Sequence, residues 1–269
     1  MKRILITGAG SYIGTSFENW VREQYPGEFN VDTVDMVDGS WRGKCFSGYD
    51  AILHVAAIVH KKEKPQMESL YQKVNTELPI EVAKKAKREG VHQFIFMSSM
   101  SVYGMNTGII TSVMKPAPKT FYGKSKLAAE ENLNTLSDIN FSVVILRPPM
   151  VYGAGCKGNY QLLKKFVSRC PIFPIYKIQR SMISIANLCE FMVQIIINKK
   201  SGLYFPQNRH YVCTSDLVHK IAADDGRKIY MTHLFNPLIC LGLKLHITVI
   251  EKVFGNLIYQ NAEKGIKAK

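Results

Sequence analysis

Tyr122 and Lys126 stand four residues apart in YGKSK, a spacing that places both side chains on one face of a helix, one turn apart. An ammonium beside a phenol favours the phenolate and lowers the tyrosine pKa. The pair therefore predicts a general base working near neutral pH. A second stretch, FMSSMSVYG from Phe96 to Gly104, closes an apolar run with Ser98 and Ser99. Either hydroxyl can bond a substrate hydroxyl and steer its proton toward Tyr122. A third stretch, ILITGAGSYIGTSFENW from Ile4 to Trp20, is an apolar run, a glycine-rich turn and a helical pattern. Such a turn offers backbone N–H groups and a helix amino terminus to an anionic pyrophosphate. Gly8 permits the tight turn and Gly14 permits close helix–strand packing, while Ser11 occupies the usual place of a middle glycine. Asp35 closes the second apolar run, where its carboxylate accepts from an adenosine ribose and repels a 2′-phosphate; this favours NAD over NADP. Arg42 and Lys44 follow closely and weaken that preference.

These groups need a frame that brings the ends of several strands together. Strand patterns fall at 3–7, 31–35, 51–56, 93–98 and 141–146, and helical patterns at 12–24, 68–89 and 122–136. The strands are continuous apolar runs, the mark of a parallel sheet covered on both faces. The expectation is an α/β chain: a Rossmann-like, doubly wound parallel sheet over residues 1–150, which holds the dinucleotide. A smaller substrate-binding lobe follows over residues 151–269, mostly helical, with one short strand at 203–205.

Composition bounds the rest. With 269 residues and 46 % hydrophobic content, the chain can build a sizeable core. The six cysteines form no CxxC and no Cys/His cluster, so neither a disulfide framework nor a metal site is expected. A strand pattern starting at Lys2 leaves no room for a signal peptide, and the expected location is the cytoplasm. The apolar stretch 237–250, within 234–250, contains Lys244 and His246 and is too short and polar to span a membrane. It reads as a helix packed on the second lobe or in a homodimer contact. The net charge of +14 suits a diphosphate substrate or weak association with an anionic membrane surface. No recognition helix or aromatic-interleaved basic motif points to nucleic acid.

Taken in order, TGAGSYIG (7–14), LHVAA (53–57), VN (74–75), SSMSVYG (98–104), YGKSK (122–126), RPPMVYG (147–153) and RSMISIANL (180–188) resemble the extended short-chain dehydrogenase/reductase family, in its NAD-dependent epimerase/dehydratase branch. The resemblance implies that Tyr122 is the base and Lys126 its partner on the nicotinamide ribose. It makes Ser99, four residues before Tyr103, the serine of the site, with Ser101 lining the same pocket. It places Gly8, Gly10, Ser11, Tyr12, Ile13, Gly14, Ala56, Ala57, Asn75 and Pro148 around the cofactor. It gives Arg180 to the substrate diphosphate and Asn159 to the substrate side of the lobe. Met150 departs from the asparagine common in epimerases, and no third strand with an acidic adenine contact follows Asp35, so Trp41 stands as a cover for the adenine.

The resulting expectation is an NAD-dependent 4-epimerase of a UDP-hexose or UDP-N-acetylhexosamine, acting through a transient 4-keto sugar. The alternatives are an NAD(P)H-dependent 4-keto reductase of a UDP-deoxy sugar and a non-catalytic NAD(P)-binding sensor. Sensors of this kind usually lose the tyrosine or the lysine, and here both remain. A dehydratase fits poorly, because Pro118, Lys119, Thr120 and Phe121 supply no acidic pair before Tyr122.

Overall fold

A computed structural model describes residues 1–59, 63–156 and 158–260, without the side chain of residue 159. The first half alternates strand and helix: β1 (Lys2–Thr7), α1 (Tyr12–Gln24), β2 (Phe29–Val34), β3 (Ala51–His54), α2 (Glu68–Tyr71), α3 (Leu78–Arg88), β4 (Gln93–Met97), β5 (Gly108–Ile110), α4 (Phe121–Asn134) and β6 (Ser142–Leu146). A π-helical turn, Gln72–Glu77, joins α2 to α3. The second half holds β7 (Met150–Tyr152), α5 (Asn159–Val167), β8 (Ile172–Pro174), β9 (Met182–Ser184), α6 (Ile185–Ile197), β10 (Gly202–Tyr204), α7 (Thr214–Asp224), β11 (Tyr230–Thr232), α8 (Asn236–Lys244), α9 (Thr248–Phe254) and β12 (Leu257–Tyr259).

Six strands form one parallel sheet in the order β10-β6-β4-β3-β1-β2. Alternation along β1 divides its side chains between two cores. Ile4 and Ile6 face α1 and α6, among Phe17, Val21, Met192 and Ile195. Leu5 faces the α3–α4 side, among Ile52, Val82, Phe94 and Leu133. With both faces covered, the central strands β3 and β4 are buried along their whole length.

The chain leaves β1 for β2 on one side and returns to β3 on the other. The crevice at the carboxyl ends of β1 and β3 is therefore the topological switch point, where such sheets take ligands.

The second half is not confined to a separate lobe. α6 covers one face of the sheet, and β10, the predicted short strand, pairs with β6 at its edge. The remaining residues form a layer with its own core, including Phe173, Leu217 and Ile221. This layer is less purely helical than expected. Parallel pairs β7–β9, β8–β11 and β12–β5, three residues each, stitch it together and tie it to the first half. Runs that short carry too little periodicity to be read as strands. Among the described residues, no helix is long and apolar enough to cross a membrane.

Candidate active site

The glycine turn is built by close approach. Gly8 (φ +118°) lies against the loop that leaves β3, and a Cβ there would sit 2.8 Å from the Ala56 nitrogen. Ala56 in turn donates to the Thr7 carbonyl at 3.0 Å. At Gly14 a Cβ would meet Ile6 and the Ser11 hydroxyl within 3 Å. Gly10 (φ +70°) faces open space, leaving room above the turn. Ser11 caps α1, its hydroxyl accepting from the Gly14 N–H at 3.2 Å. Tyr12 and Ile13 open the helix, whose first N–H groups lack intrahelical partners, and no acidic residue stands in that turn. A cradle with unclaimed donors and no anion fits a pyrophosphate.

Asp35 follows β2 at the same sheet edge, exposed, with one oxygen accepting from the Val37 N–H at 2.9 Å. Arg42 is held away by Glu81 in a two-point ion pair with both contacts at 2.6 Å, and its guanidinium lies 4.7 Å from the Trp41 ring centre. Trp41 does not cover an adenine site. It is 1 % exposed, stacked on Phe46 and packed in the α3-side core. A 3-10 turn, Ser40–Arg42, replaces the missing third strand and drives the indole inward.

The proposed acid–base group lies at the carboxyl ends of β4 and β6. Ser99 accepts from the Ser101 N–H (3.1 Å) and from the Ser101 hydroxyl (2.9 Å), which fixes its own hydroxyl at the start of a 3-10 turn. Pro148, just after β6, accepts from the Met100 N–H at 2.9 Å and holds that turn in place. Thr120 caps α4, and the Glu63 carboxylate receives the N–H groups of Phe121 (2.9 Å) and Tyr122 (3.0 Å). That carboxylate fixes the helix start that carries Tyr122. Asn75, in the π-turn, donates to the Ile58 carbonyl and Ser125 hydroxyl and accepts from the Ile58 N–H. It binds the Ala56–Ala57 loop to α4, and a π-turn is a frequent feature of functional sites.

The electrostatics differ from the sequence expectation. Tyr122 keeps a partly accessible edge, but burial of its phenol pushes the pKa up to about 12, with Ser99 hydrogen bonding pulling the other way. Lys126 does not lower it. Burial brings the lysine itself down to about 7, against the opposing pull of Glu130. Its ammonium donates to the Met97 carbonyl at 2.8 Å and lies 4.4 Å from the Phe96 ring centre. Desolvation thus outweighs the pairing that spacing alone suggests.

Below the lysine lies a buried network that sequence reasoning missed. Glu130, one turn after Lys126, receives the Ser98 hydroxyl and the Arg147 guanidinium. Arg147 also donates to the Tyr103 hydroxyl at 2.7 Å, and the Tyr259 hydroxyl donates to the Arg147 carbonyl at 2.9 Å. Ser98 is therefore committed to the network, and Ser99 is the serine that hydrogen-bonds Tyr122. The signal was present as the Lys126–Glu130 spacing and the arginine of RPPMVYG.

Arg180 lies in the second-half layer, bridged to Val212 and Leu257. Its side chain donates to the Glu251 (3.3 Å) and Gly255 (2.6 Å) carbonyls at the end of α9, an attractive position for a cation. Asn159 opens α5, and its side chain lies outside the described residues.

The profile of the NAD dependent epimerase/dehydratase family matches residues 4–202. A UDP-glucose 4-epimerase of Vibrio cholerae is 35 % identical over 182 residues, 64 % of this chain and 56 % of that protein. The N-acetyl-α-D-glucosaminyl-diphospho-ditrans,octacis-undecaprenol 4-epimerase of Escherichia coli O157:H7 is 26 % identical over 89 % of this chain and 77 % of its own length. In fold, the structure of a Bacillus cereus UDP-glucuronic acid 4-epimerase in complex with NAD superposes with a TM-score of 0.71 at 15 % identity, covering 98 % of this chain and 90 % of that one. The chain thus spans little more than half of the Vibrio protein, while its glycine turn, serine turn and Tyr122–Lys126 helix all fall inside the matched region; it belongs to the NAD-dependent epimerase/dehydratase family.

Proposed function

We propose that this protein is an NAD-dependent 4-epimerase of a UDP-hexose or UDP-N-acetylhexosamine. The observation that carries the reading is that Ser99, Tyr122 and Lys126 sit at the carboxyl edge of the sheet whose first turn is the Gly8–Gly14 cradle. The similarity to two named 4-epimerases supports the reaction type.

In this reading Gly8, Gly10, Ser11, Tyr12, Ile13 and Gly14 receive the pyrophosphate. Asp35 takes the adenosine ribose, and Ala56, Ala57, Asn75 and Pro148 wall the cofactor. Residues 1–150 supply most of this surface, and residues after 150 supply the substrate side, with Asn159 and Arg180 toward the sugar diphosphate. Bound NAD would supply a reversible hydride acceptor for sugar C4, which makes a transient 4-keto sugar accessible. Ser99 would bridge the C4 hydroxyl to Tyr122, whose phenolate would take the hydroxyl proton and, as the phenol, return it to the 4-epimer. Lys126, held on the Met97 carbonyl, keeps a cation near the ribose and the phenol.

The test is a proton NMR time course of the protein with UDP-glucose, UDP-N-acetylglucosamine and sub-stoichiometric NAD. The reading expects anomeric signals of the 4-epimers with no net cofactor reduction. Silence there, with NADPH consumed on a UDP-4-keto-6-deoxy sugar, would replace it with the reductase reading.

A further inference from the structure

The α8–α9 hairpin is packed on one side only. Ile239 and Gly242 face inward, and a Cβ on Gly242 would collide with Ile250 of α9, so the helices pack closely there. The other face of α8 is bare. Leu238 and Leu241 are 65 % and 53 % exposed; Leu234, one turn earlier, and Leu245, one turn later, are 77 % and 63 % exposed. Leu238 and Leu241 lie three apart on one face of α8, and Leu234 and Leu245 are exposed just beyond its two ends. Val249, at the start of α9, is 71 % exposed. These side chains present roughly 500 Å² of apolar surface, at the upper end of what single chains leave uncovered.

The hairpin itself is basic. Between residues 236 and 254 the chain carries Lys244 and Lys252 against a single acid, Glu251. Glu251 is buried and its carboxylate is bonded to His246. Lys244 and Lys252 are exposed beside the leucines, and their long stems can keep the charge in water while lying along an apolar surface.

We propose that this hairpin rests flat on an anionic phospholipid surface, with the exposed leucines among the acyl chain ends and the lysines at the headgroups. A second copy of the chain fits less well, because a two-fold contact through this face would bring its like-charged lysines together. The net charge of +14 draws the whole molecule toward the same surface. The proposal does not depend on which sugar the site takes.

The experiment is co-sedimentation of the full chain with vesicles of phosphatidylcholine alone, or with a quarter phosphatidylglycerol. Light scattering gives the oligomeric state in parallel. The wild type should pellet with the anionic vesicles and stay in solution with the neutral ones. Leu238→Ser/Leu241→Ser and Lys244→Glu/Lys252→Glu should each weaken binding about tenfold, with unchanged circular dichroism. Unchanged turnover of a soluble UDP-sugar in both variants would separate this surface from the catalytic reading. Binding by the leucine variant equal to wild type would overturn the proposal, as would no binding by the wild type. A dimer that the leucine substitutions convert to monomer would make this face a subunit contact and also overturn it.

Discussion

Replacing Glu130 by glutamine tests the network beneath the site. The side chains of Glu130 and Arg147 are 3 % and 7 % exposed, so their ion pair is shielded from water. Removing one partner of a buried pair leaves the other charge uncompensated and costs about 3–5 kcal/mol. The glutamine oxygen can still accept from Ser98 or Arg147, which trims the expected loss to about 2–4 kcal/mol. For a chain of this size each kcal/mol moves the melting temperature by about 2–4 °C, so a drop of about 10 °C is expected in a circular dichroism melt at neutral pH.

A second readout follows from Lys126. Glu130 holds the lysine pKa up against burial, at about 7. Without that carboxylate the lysine loses its proton at lower pH. The alkaline fall of turnover, set by loss of the ammonium, moves to lower pH in E130Q. Ser98→Ala removes one hydrogen bond to the same carboxylate and should cost only about 1 kcal/mol, with no shift in the pH profile. An E130Q protein that melts within about 2 °C of wild type and keeps its pH profile would refute the reasoning.

Tyr122→Phe should abolish turnover while a titration shows NAD binding within about threefold of wild type, because the hydroxyl acts on the substrate proton rather than on the cofactor. Asp35→Ala should weaken NAD more than NADP; equal losses in a binding titration would remove the argument from the ribose contact. Gly8→Ala should lower NAD affinity, measured by fluorescence titration, since its Cβ would press on Ala56 and the φ of +118° suits glycine. His54 is fully buried between Phe94 and Phe96, bonded to Thr7, and its pKa falls from 6.5 to about 3. Below 6.5 the unfolded chain binds a proton that the native state refuses, so stability falls as pH drops from 6.5 toward 3, by up to about 5 kcal/mol. Urea melts of His54→Phe across that range should show a flatter pH dependence.

The first half was legible because its signals are long or glycine-anchored. Its five sheet strands and the α1 helix answer to apolar runs and to a turn that only small residues can make, and β10 in the second half answers to a short apolar run. The site was legible as the Tyr122–Lys126 spacing plus two motifs, but its electrostatics were not. Spacing reports that two groups can meet; it does not report how far water is excluded from each, and burial decided the direction at Tyr122. Trp41 was misread because the segment after Asp35 has no periodicity to say which way the ring turns. Glu63 escaped notice because its partners, the N–H groups of Phe121 and Tyr122, lie 58 and 59 residues away. The ladders of β5, β7, β8, β9, β11 and β12 depend on partners distant in sequence, which three-residue runs cannot announce.

The most direct test of the central claim uses a UDP-sugar carrying deuterium at C4, with sub-stoichiometric NAD, followed by NMR. If the C4 hydride leaves and returns within one active site, the 4-epimer forms with deuterium retained at C4. Product in which solvent hydrogen has replaced that deuterium, or no epimer from UDP-glucose or UDP-N-acetylglucosamine, would contradict the account.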